Sequence, residues 1–354
     1  MIDLRSDLCS VPTEEMWRAM RAAELGWASV GEDAAVTALC ERAAGLLGKA
    51  DALWVPTCGM ANLVAMLTFC ERGDRVVLES ASHVLTSEAL GIVEVAGLEP
   101  CSLWAPDGRL APDEVAELVE ERDAALLILE NTHTRAGGTT LSPSQTEALA
   151  AAAGTRGCRV HVDGARLLNA AVALGTTAAA LAAPANSVAL SLNKGLSAPF
   201  GTVLAGSEAV VGRARLMLQR LGGATVHKAG LAAAAGLVAL ETMVERLAED
   251  HRRARELGAL LGAVPGLRLD PLVIETNIVL VDVSGCGVTS EELLPPLEAA
   301  GVRALARDAG RLRFVTHRLI GDAEVERAAA VVAEVVERHA VAPVEPPEVA
   351  PQGH

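Results

Sequence analysis

The chain has 354 residues, of which 51% are hydrophobic and only 2% are aromatic, with no tyrosine. This length suffices for two domains, whose cores must be filled by Ala, Val and Leu. The formal net charge is −15 and no basic patch interrupts it. Nucleic acid and anionic membranes are therefore excluded as expected partners.

The seven cysteines are scattered, with no C-x-x-C pair and no spacing typical of metal ligands. We therefore expect reduced thiols and no metal site. The N-terminus lacks the charged and apolar regions of a signal peptide, and the most apolar segment, residues 229–240, is shorter than the roughly 20 residues that a bilayer requires. These features predict a soluble, cytoplasmic protein.

Short apolar runs alternate with amphipathic stretches over the first 250 residues. Runs of this kind joined by helices are typical of a mostly parallel sheet that helices cover on both faces. Helical periodicity then continues through residues 208–221 and from about 227 past 251. The predicted strands lie at residues 52–56, 75–78, 124–129, 159–162, 188–192 and 202–205.

The pattern changes after about residue 267. Strands are predicted at 277–283 and 312–316, and helices at 290–300 and 322–339, which together indicate a compact α+β unit. We place a large domain at 1–250, including an N-terminal arm at 1–15, and a small domain at 251–340. The Pro-rich segment 341–354 has no periodicity and is predicted to be disordered.

Lys194 and Asp163 form the most informative pair, because each lies at the end of an apolar strand. A lone lysine in that position is costly unless its amine is paired or neutralised. A Schiff base with pyridoxal 5'-phosphate (PLP) neutralises the amine, and the carboxylate suits the protonated ring nitrogen of the same cofactor. A surface turn and a capping aspartate are the simpler readings of each residue alone, but the pair favours PLP.

Other positions carry weaker signals. Thr57, Cys58 and Gly59 follow a strand and open an apolar helix, where free N–H groups suit a phosphate, although Thr57 also fits an ordinary N-cap. His83 follows another strand, where an imidazole can stack on a cofactor ring and move protons. An unremarkable loop histidine is the alternative.

Arg313 lies within an apolar strand and needs an anionic partner. That partner is either a substrate carboxylate or a buried acidic residue. The same reasoning applies to Arg166, which follows Asp163. We expect His161 and His317 to be structural, whereas the role of His133 stays open.

Several segments, in register from residue 1 to about 340, resemble the low-specificity L-threonine aldolases of the beta-eliminating lyase family, which are fold-type-I PLP enzymes. The segments are Ile-Asp-Leu-Arg-Ser-Asp at 2–7, Gly-Glu-Asp at 31–33, Glu-Asn-Thr-His at 130–133, His-Val-Asp-Gly-Ala-Arg at 161–166, Lys-Gly-Leu at 194–196 and Leu-Arg-Phe-Val-Thr-His at 312–317.

The resemblance implies an aspartate-aminotransferase-like α/β fold, with a mostly parallel seven-stranded sheet in the large domain and a small C-terminal α+β domain. It implies a homotetramer built as a dimer of dimers, with each active site at a dimer interface. It also implies roles for the cofactor-binding residues: Lys194 carries PLP, Asp163 pairs with the ring nitrogen, and His83 stacks on the ring. The phosphate is held by Thr57, Cys58 and Gly59. The substrate carboxylate is bound by Ser6, Arg166 and Arg313, of which Arg166 also contacts the cofactor.

The implied reaction is retro-aldol cleavage of an L-β-hydroxy-α-amino acid, of the L-threonine or L-allo-threonine type, to glycine and an aldehyde. His83 is the candidate base. Family members often carry a second histidine in a loop before the Glu-Asn-Thr-His strand, which helps to bind the substrate β-hydroxyl; here residues 120–123 shorten that loop and contain none. The phosphate loop also differs, with Cys58-Gly59 in place of Gly-Thr.

Two alternatives stay open because of these departures. In the first, the protein is a PLP lyase of another kind, which acts by β-elimination or on a bulkier β-substituted amino acid. In the second, it is a PLP-binding scaffold with little turnover.

Overall fold

The computed structural model describes residues 1–88, 91–154 and 156–339. The tail predicted to be disordered, residues 341–354, lies outside the described residues. The strands are β1 (Ile2–Asp3), β2 (Asp51–Val55), β3 (Arg75–Glu79), β4 (Glu99–Leu103), β5 (Leu126–Glu130), β6 (Arg159–Gly164), β7 (Ser187–Ser191), β8 (Thr202–Gly206), β9 (Ile278–Asp282), β10 (Val302–Arg303), β11 (Leu305–Asp308) and β12 (Arg311–Val315).

The α-helices are α1 (Glu14–Ala22), α2 (Ala34–Leu47), α3 (Cys58–Phe69), α4 (His83–Thr86), α5 (Pro112–Arg122), α6 (Pro143–Gly154), α7 (Leu167–Leu174), α8 (Ala178–Ala182), α9 (Glu208–Arg220), α10 (Gly230–Thr242), α11 (Leu247–Gly262), α12 (Ser290–Ala299) and α13 (Asp322–His339). None of the helices in the described part of the chain is both long enough and apolar enough to span a membrane.

Seven strands form the main sheet, in the order β2-β8-β7-β6-β5-β3-β4. The run from β7 to β4 is parallel, and β8 is antiparallel to both of its neighbours. Every residue of β5 and β7 is buried, as expected for strands covered by helices on both faces. The predicted α/β fold with a mostly parallel seven-stranded sheet is confirmed.

The sequence analysis missed β4. This strand lies at the edge of the main sheet, contains Pro100, and is only partly buried. Proline is tolerated on an edge strand because its missing N–H faces away from the ladder. A strand of this kind shows no continuous apolar run, so its sequence does not predict a strand.

The single helix expected from about residue 227 past 251 is instead two helices, α10 and α11, separated by residues 243–246. The first is apolar nearly all round and packs against α1 and α2 in the larger core. The second is amphipathic and packs against α13 and β9. The chain has to turn between them because the two faces belong to different cores.

The small sheet, with strand order β11-β12-β9, is antiparallel throughout. Its core also includes Leu4, and β1 pairs with β10 in parallel. The start of the N-terminal arm therefore packs with residues of the predicted small domain. The rest of the predicted division into domains stays a prediction.

Candidate active site

A cavity of about 410 Å³ opens between the carboxyl edge of the main sheet and the small sheet. Ligand sites in open α/β sheets occur at this edge. Every site residue predicted from the sequence lines the cavity, apart from Asp163, which lies buried next to Cys58. The cavity is lined by Ser6, Thr57, Cys58, Gly59, His83, Glu88, Arg135, Arg166, Lys194, Arg307 and Arg313, among others.

Asp163 is a buried carboxylate whose hydrogen-bond partners are neutral. Its Oδ2 accepts a hydrogen bond of 3.1 Å from Asn62 Nδ2, and its Oδ1 accepts one of 3.1 Å from the Ala165 amide. The Cys58 thiol lies 3.7 Å from Oδ1. Within the described residues no Lys, Arg or His forms an ion pair with Asp163. A buried carboxylate without a cation is costly, so this position suits the protonated ring nitrogen of PLP.

A chain of hydrogen bonds fixes the Asn62 amide. His161 Nε2 lies 3.1 Å from Asn62 Oδ1, and His161 Nδ1 lies 2.7 Å from Ser187 Oγ. Burial lowers the pKa of His161 to about 4, so the ring is neutral. Nε2 then donates to Asn62 and Nδ1 accepts from Ser187, which directs the amide nitrogen of Asn62 toward Asp163. The sequence analysis gave Asn62 no role, although a buried amide on an apolar helix was a usable signal.

Lys194 lies in the turn that follows β7 and lines the cavity. Its carbonyl accepts hydrogen bonds from the Ser197 amide, at 2.9 Å, and from Ser10 Oγ, at 3.1 Å. Ser197 adopts a positive φ of 62°, which closes this turn tightly. No carboxylate in the described part of the chain pairs with the Lys194 amine. The arrangement fits a lysine that condenses with an aldehyde.

His83 begins α4 immediately after β3. Its backbone N–H donates to Glu130 Oε2 at 2.8 Å, and its Nε2 lies 3.5 Å from Glu88 Oε1. Burial lowers the pKa of His83 below its ordinary value, against the opposing charge of Asp163. Burial and then the charge of Asp163 raise the pKa of Glu88 to about 7. Glu88 is a site residue that the sequence analysis missed.

The N-terminus of α3 carries the predicted phosphate loop. Thr57 Oγ1 accepts a hydrogen bond of 3.2 Å from the Met60 amide and so caps the helix. The amides of Cys58 and Gly59 belong to the first turn, where helical N–H groups lack partners within the helix. A Cβ at Gly59 would lie 3.0 Å from Glu88 Oε1. A threonine at this position, as in typical relatives, would therefore crowd Glu88.

Arg166 is engaged by the protein itself. Its Nε and Nη2 donate to the two carboxylate oxygens of Asp7 at 2.8 and 2.7 Å, and its Nη1 donates to Thr134 Oγ1 at 3.1 Å. Burial works to raise the pKa of Asp7, but Arg166, followed by Lys194 and Asn277, outweighs it and holds that pKa far below its usual range. Asp7 and Thr134 take three of the five N–H groups of the guanidinium, and Arg166 still lines the cavity, so its predicted roles in binding the substrate carboxylate and the cofactor stay predictions.

Arg313, by contrast, has no acidic partner among the residues that the structure describes. Its Nη2 donates to the Arg5 carbonyl at 3.2 Å, and its buried Nε has no hydrogen-bond partner in the described residues. Burial, and next the positive charge of Arg166, lower the pKa of Arg313 to about 10. A salt bridge to a core acid, the alternative weighed above, is absent from the described residues. The guanidinium is therefore available to an anionic ligand in the cavity.

Ser6 lies beside Arg313 on the cavity wall. Its Oγ accepts a hydrogen bond of 3.2 Å from the Leu8 amide and lies 3.3 Å from Asp7 Oδ1. Ser6 thereby joins the arm to the cavity.

Two buried acids tie together the loops around His83. His133 Nε2 lies 3.0 Å from Glu79 Oε2 and 3.7 Å from Glu130 Oε2. Burial works to lower the pKa of His133, but Glu130 and Glu79 outweigh it and raise that pKa. Glu130 Oε1 also accepts from the Thr134 amide at 2.8 Å. His133, which the sequence left undecided, is thus a structural residue beneath the site.

A lysine after one parallel strand, a buried carboxylate in the next, and a helix N-terminus open to the same cavity define a PLP-dependent lyase of fold type I. The family model for beta-eliminating lyases matches residues 3–284. The chain belongs to the beta-eliminating lyase family, which confirms the resemblance recognised in the sequence.

Two relatives illustrate the similarity. The chain is 34% identical over 334 residues to low-specificity L-threonine aldolase 1 of Arabidopsis thaliana, covering 92% of this chain and 93% of that protein. It is 38% identical over 272 residues to the low specificity L-threonine aldolase of Escherichia coli O157:H7, covering 73% and 80%. The solved threonine aldolase of Leishmania major shares the fold, with a TM-score of 0.79 at 19% identity over 95% of this chain and all of that one.

Proposed function

We propose that the protein cleaves an L-β-hydroxy-α-amino acid, of the L-threonine or L-allo-threonine type, to glycine and an aldehyde. The observation that carries this proposal is the unpaired guanidinium of Arg313 in the same cavity as Lys194. An amino-acid carboxylate supplies the missing anion, and the substrate amine can then reach the lysine. The names of the Arabidopsis and Escherichia coli relatives support the same reaction.

The cofactor and the residues divide the chemistry between them. PLP, when bound to Lys194, supplies an electron sink for the pair released from the Cα–Cβ bond. Asp163, oriented by Asn62, would pair with the ring nitrogen, and His83 would stack on the ring. Thr57, Cys58 and Gly59 hold the phosphate at the N-terminus of α3.

Arg313, Arg166 and Ser6 would hold the substrate carboxylate and so orient the Cα–Cβ bond for cleavage. Arg166 keeps the arm in place through Asp7. His83 takes the proton of the β-hydroxyl, directly or through a water. General base catalysis of this kind contributes about 10²–10⁴-fold.

A substrate panel tests the reaction. The holoenzyme should release aldehyde and glycine from L-threonine, L-allo-threonine or L-phenylserine. A His83→Ala variant should keep the absorbance band of PLP and lose about 10²-fold or more in kcat. Unchanged turnover in this variant would refute the role of His83, and no aldehyde from any substrate would refute the reaction.

β-Elimination is the second candidate, favoured by the absence of the second histidine from residues 120–123, where α5 ends and Asp123 turns directly toward β5. Release of pyruvate from cysteine, faster than aldehyde from threonine, would establish it. A full PLP band with neither product would instead indicate a scaffold.

We further propose a homotetramer, built as a dimer of dimers, in a reducing cytoplasm. Exposed Trp27, Val30 and Trp104 support an interface, and all seven cysteines are free. Light scattering of the holoenzyme and fractionation of source cells test these two statements.

A further inference from the structure

Arg307 occupies an irregular position on the wall that the small sheet contributes to the cavity. The pairing of β11 with β12 slips between Ala306 and Asp308, which leaves Arg307 as the extra residue of a β-bulge. Bulges of this kind re-aim a side chain and are frequent beside active sites. The Arg307 side chain is only 14% exposed and lines the cavity. Arg307 therefore brings a cation to the cavity wall two residues beyond Leu305, which pairs with Arg313.

Arg135 faces the same space from the loop after β5. The Arg307 Nε donates to the Arg135 carbonyl at 2.9 Å, which ties the loop to the small sheet. Both guanidinium groups line the cavity. Arg307 has one distant acid, Asp308, at 3.9 Å, and no acid pairs with Arg135 in the described part of the chain. We call Arg135 and Arg307 the second arginine pair.

The charges around the cavity do not balance. Besides Arg166, which Asp7 neutralises, the walls carry Lys194, Arg313 and the second arginine pair, against Glu88 as the lining carboxylate among the described residues. The pKa of Arg307 is lowered by burial and then by the charge of Arg135. These cations are concentrated in a chain whose net charge is −15.

The proposed ligands account for only part of this excess. The phosphate of PLP takes the N-terminus of α3, and the α-carboxylate takes Arg313. Arg313 lies opposite Leu305, two residues before Arg307, so the second arginine pair lies beyond the carboxylate site on the same wall. An anion of its own is needed there, because clustered guanidinium groups repel one another when they are partly buried.

We propose that the second arginine pair binds a carboxylate at the far end of the substrate, so that the preferred substrate is an acidic L-β-hydroxy-α-amino acid. The proposal rests on the retro-aldol function proposed above and narrows its substrate class. Arginine suits this role because its planar fork matches a carboxylate in bidentate geometry. Residues 120–123, which lack the histidine that helps relatives to bind the β-hydroxyl, are consistent with a different set of contacts to the substrate.

The shortest substrate of this class is L-β-hydroxyaspartate. Its Cα–Cβ bond breaks, the β-hydroxyl loses its proton as the carbonyl of glyoxylate forms, and Cα gains one proton to give glycine. No oxidant, reductant or second substrate enters, so the products contain every atom of the substrate.

The test compares kcat/KM of the holoenzyme for both diastereomers of L-β-hydroxyaspartate with kcat/KM for L-threonine. We expect a preference of about tenfold or more for one acidic diastereomer. In an Arg307→Met variant this preference should disappear while cleavage of L-threonine stays within about threefold. Arg307→Lys should restore part of it. Arg311→Met is the matched control, because Arg311 lies on the same hairpin, is exposed and pairs with Asp308.

A binding measurement separates this inference from the reaction. Titration calorimetry of the holoenzyme should show tighter binding of succinate than of butyrate, and Arg307→Met should remove the difference. If L-threonine is cleaved but acidic substrates are not preferred, the inference fails and the proposed function stands. Equal losses for both substrates in Arg307→Met would also overturn it. If no substrate is cleaved, the function fails, and the succinate titration alone decides whether the anion site exists.

Discussion

The imidazole of His83 lies 3.5 Å from the carboxylate of Glu88, and both side chains line the candidate active site. The two groups respond oppositely to burial, because burial lowers the pKa of His83 and raises that of Glu88 to about 7. Near neutral pH the carboxyl group of Glu88 therefore changes its charge beside the imidazole of His83. The negative charge of ionised Glu88 favours the His83 tautomer that carries its proton on Nε2, which leaves Nδ1 free to act as a base.

Replacing Glu88 with glutamine should flatten the pH profile of the enzyme. Wild-type kcat/KM should rise as the pH increases through about 7, because Glu88 ionises there. Glu88→Gln keeps an oxygen acceptor beside His83 but cannot titrate, so the rise in kcat/KM near pH 7 should vanish. Glu94→Gln, which changes an exposed glutamate nearby, is the control and should keep the wild-type profile. An identical profile in Glu88→Gln would contradict the coupling.

The same variant should be more stable than the wild type in base. The folded protein holds a raised pKa at Glu88, so wild-type stability falls as the pH rises from the unfolded value of about 4.5 through about 7. Glu88→Gln should gain about 1–3 kcal/mol over the wild type at pH 8.5 and less at pH 5. Denaturant unfolding of the PLP-free protein at both pH values measures the difference.

Asn62→Ala should weaken binding of the cofactor. The substitution removes the donor to Asp163 and leaves His161 without its partner, so the carboxylate is no longer oriented. We expect the Kd for PLP, measured by absorbance titration, to rise about tenfold. Asn186→Ala is the matched control, because Asn186 accepts a hydrogen bond from the Val160 amide at the other end of β6. This variant should keep the wild-type affinity for PLP. Equal affinity in both variants would show that Asn62 does not act on the site.

Asp7→Asn should cost far more stability than Asp3→Asn. Asp7 and Arg166 form a buried bidentate pair, and removal of one partner leaves an uncompensated charge, which costs about 3–5 kcal/mol. The pair of Asp3 with Arg5 is partly exposed and should contribute about 0–1 kcal/mol. Denaturant unfolding at a fixed PLP concentration compares the two.

The Asp7 effect should also depend on pH. A lowered pKa contributes stability above the unfolded value of about 4, and that contribution is lost as the pH falls through the folded value. The difference in the free energy of unfolding between the wild type and Asp7→Asn should therefore become smaller as the pH falls. A difference that becomes larger instead would contradict the ion pair.

His133→Gln should destabilise the protein more at pH 6 than at pH 9. The pKa of His133 is raised through Glu130 and Glu79, so its contribution is complete below the unfolded value of about 6.5 and is lost as the pH rises through the folded one. Thermal unfolding at both pH values measures it. His339→Gln, at the exposed end of α13, should show the same small effect at each pH.

The placement of Lys194 and Asp163 at the ends of apolar strands could be predicted from the sequence, because buried parallel strands are short apolar runs in the sequence. The carboxyl ends of such strands lie at one edge of the sheet. The same pattern predicted the main sheet apart from β4. Motifs around these strands then indicated the cofactor. Each of these conclusions needed only the pattern of residues that are close together in the sequence.

The sequence could not assign partners to the charged residues. Arg166 binds Asp7, which lies 159 positions away, and Arg307 meets the loop of Arg135, which lies 172 positions away. Glu88 follows α4 in an unremarkable turn, yet it contacts both His83 and the loop at Gly59.

Sequence periodicity by itself determined which segments are buried and therefore where Lys194 and Asp163 emerge. Only the tertiary structure decided which arginines are neutralised within the protein and which are left for a ligand. The physical reason is that burial follows from local apolar pattern, whereas the pairing of a charge depends on distances between residues far apart in the chain.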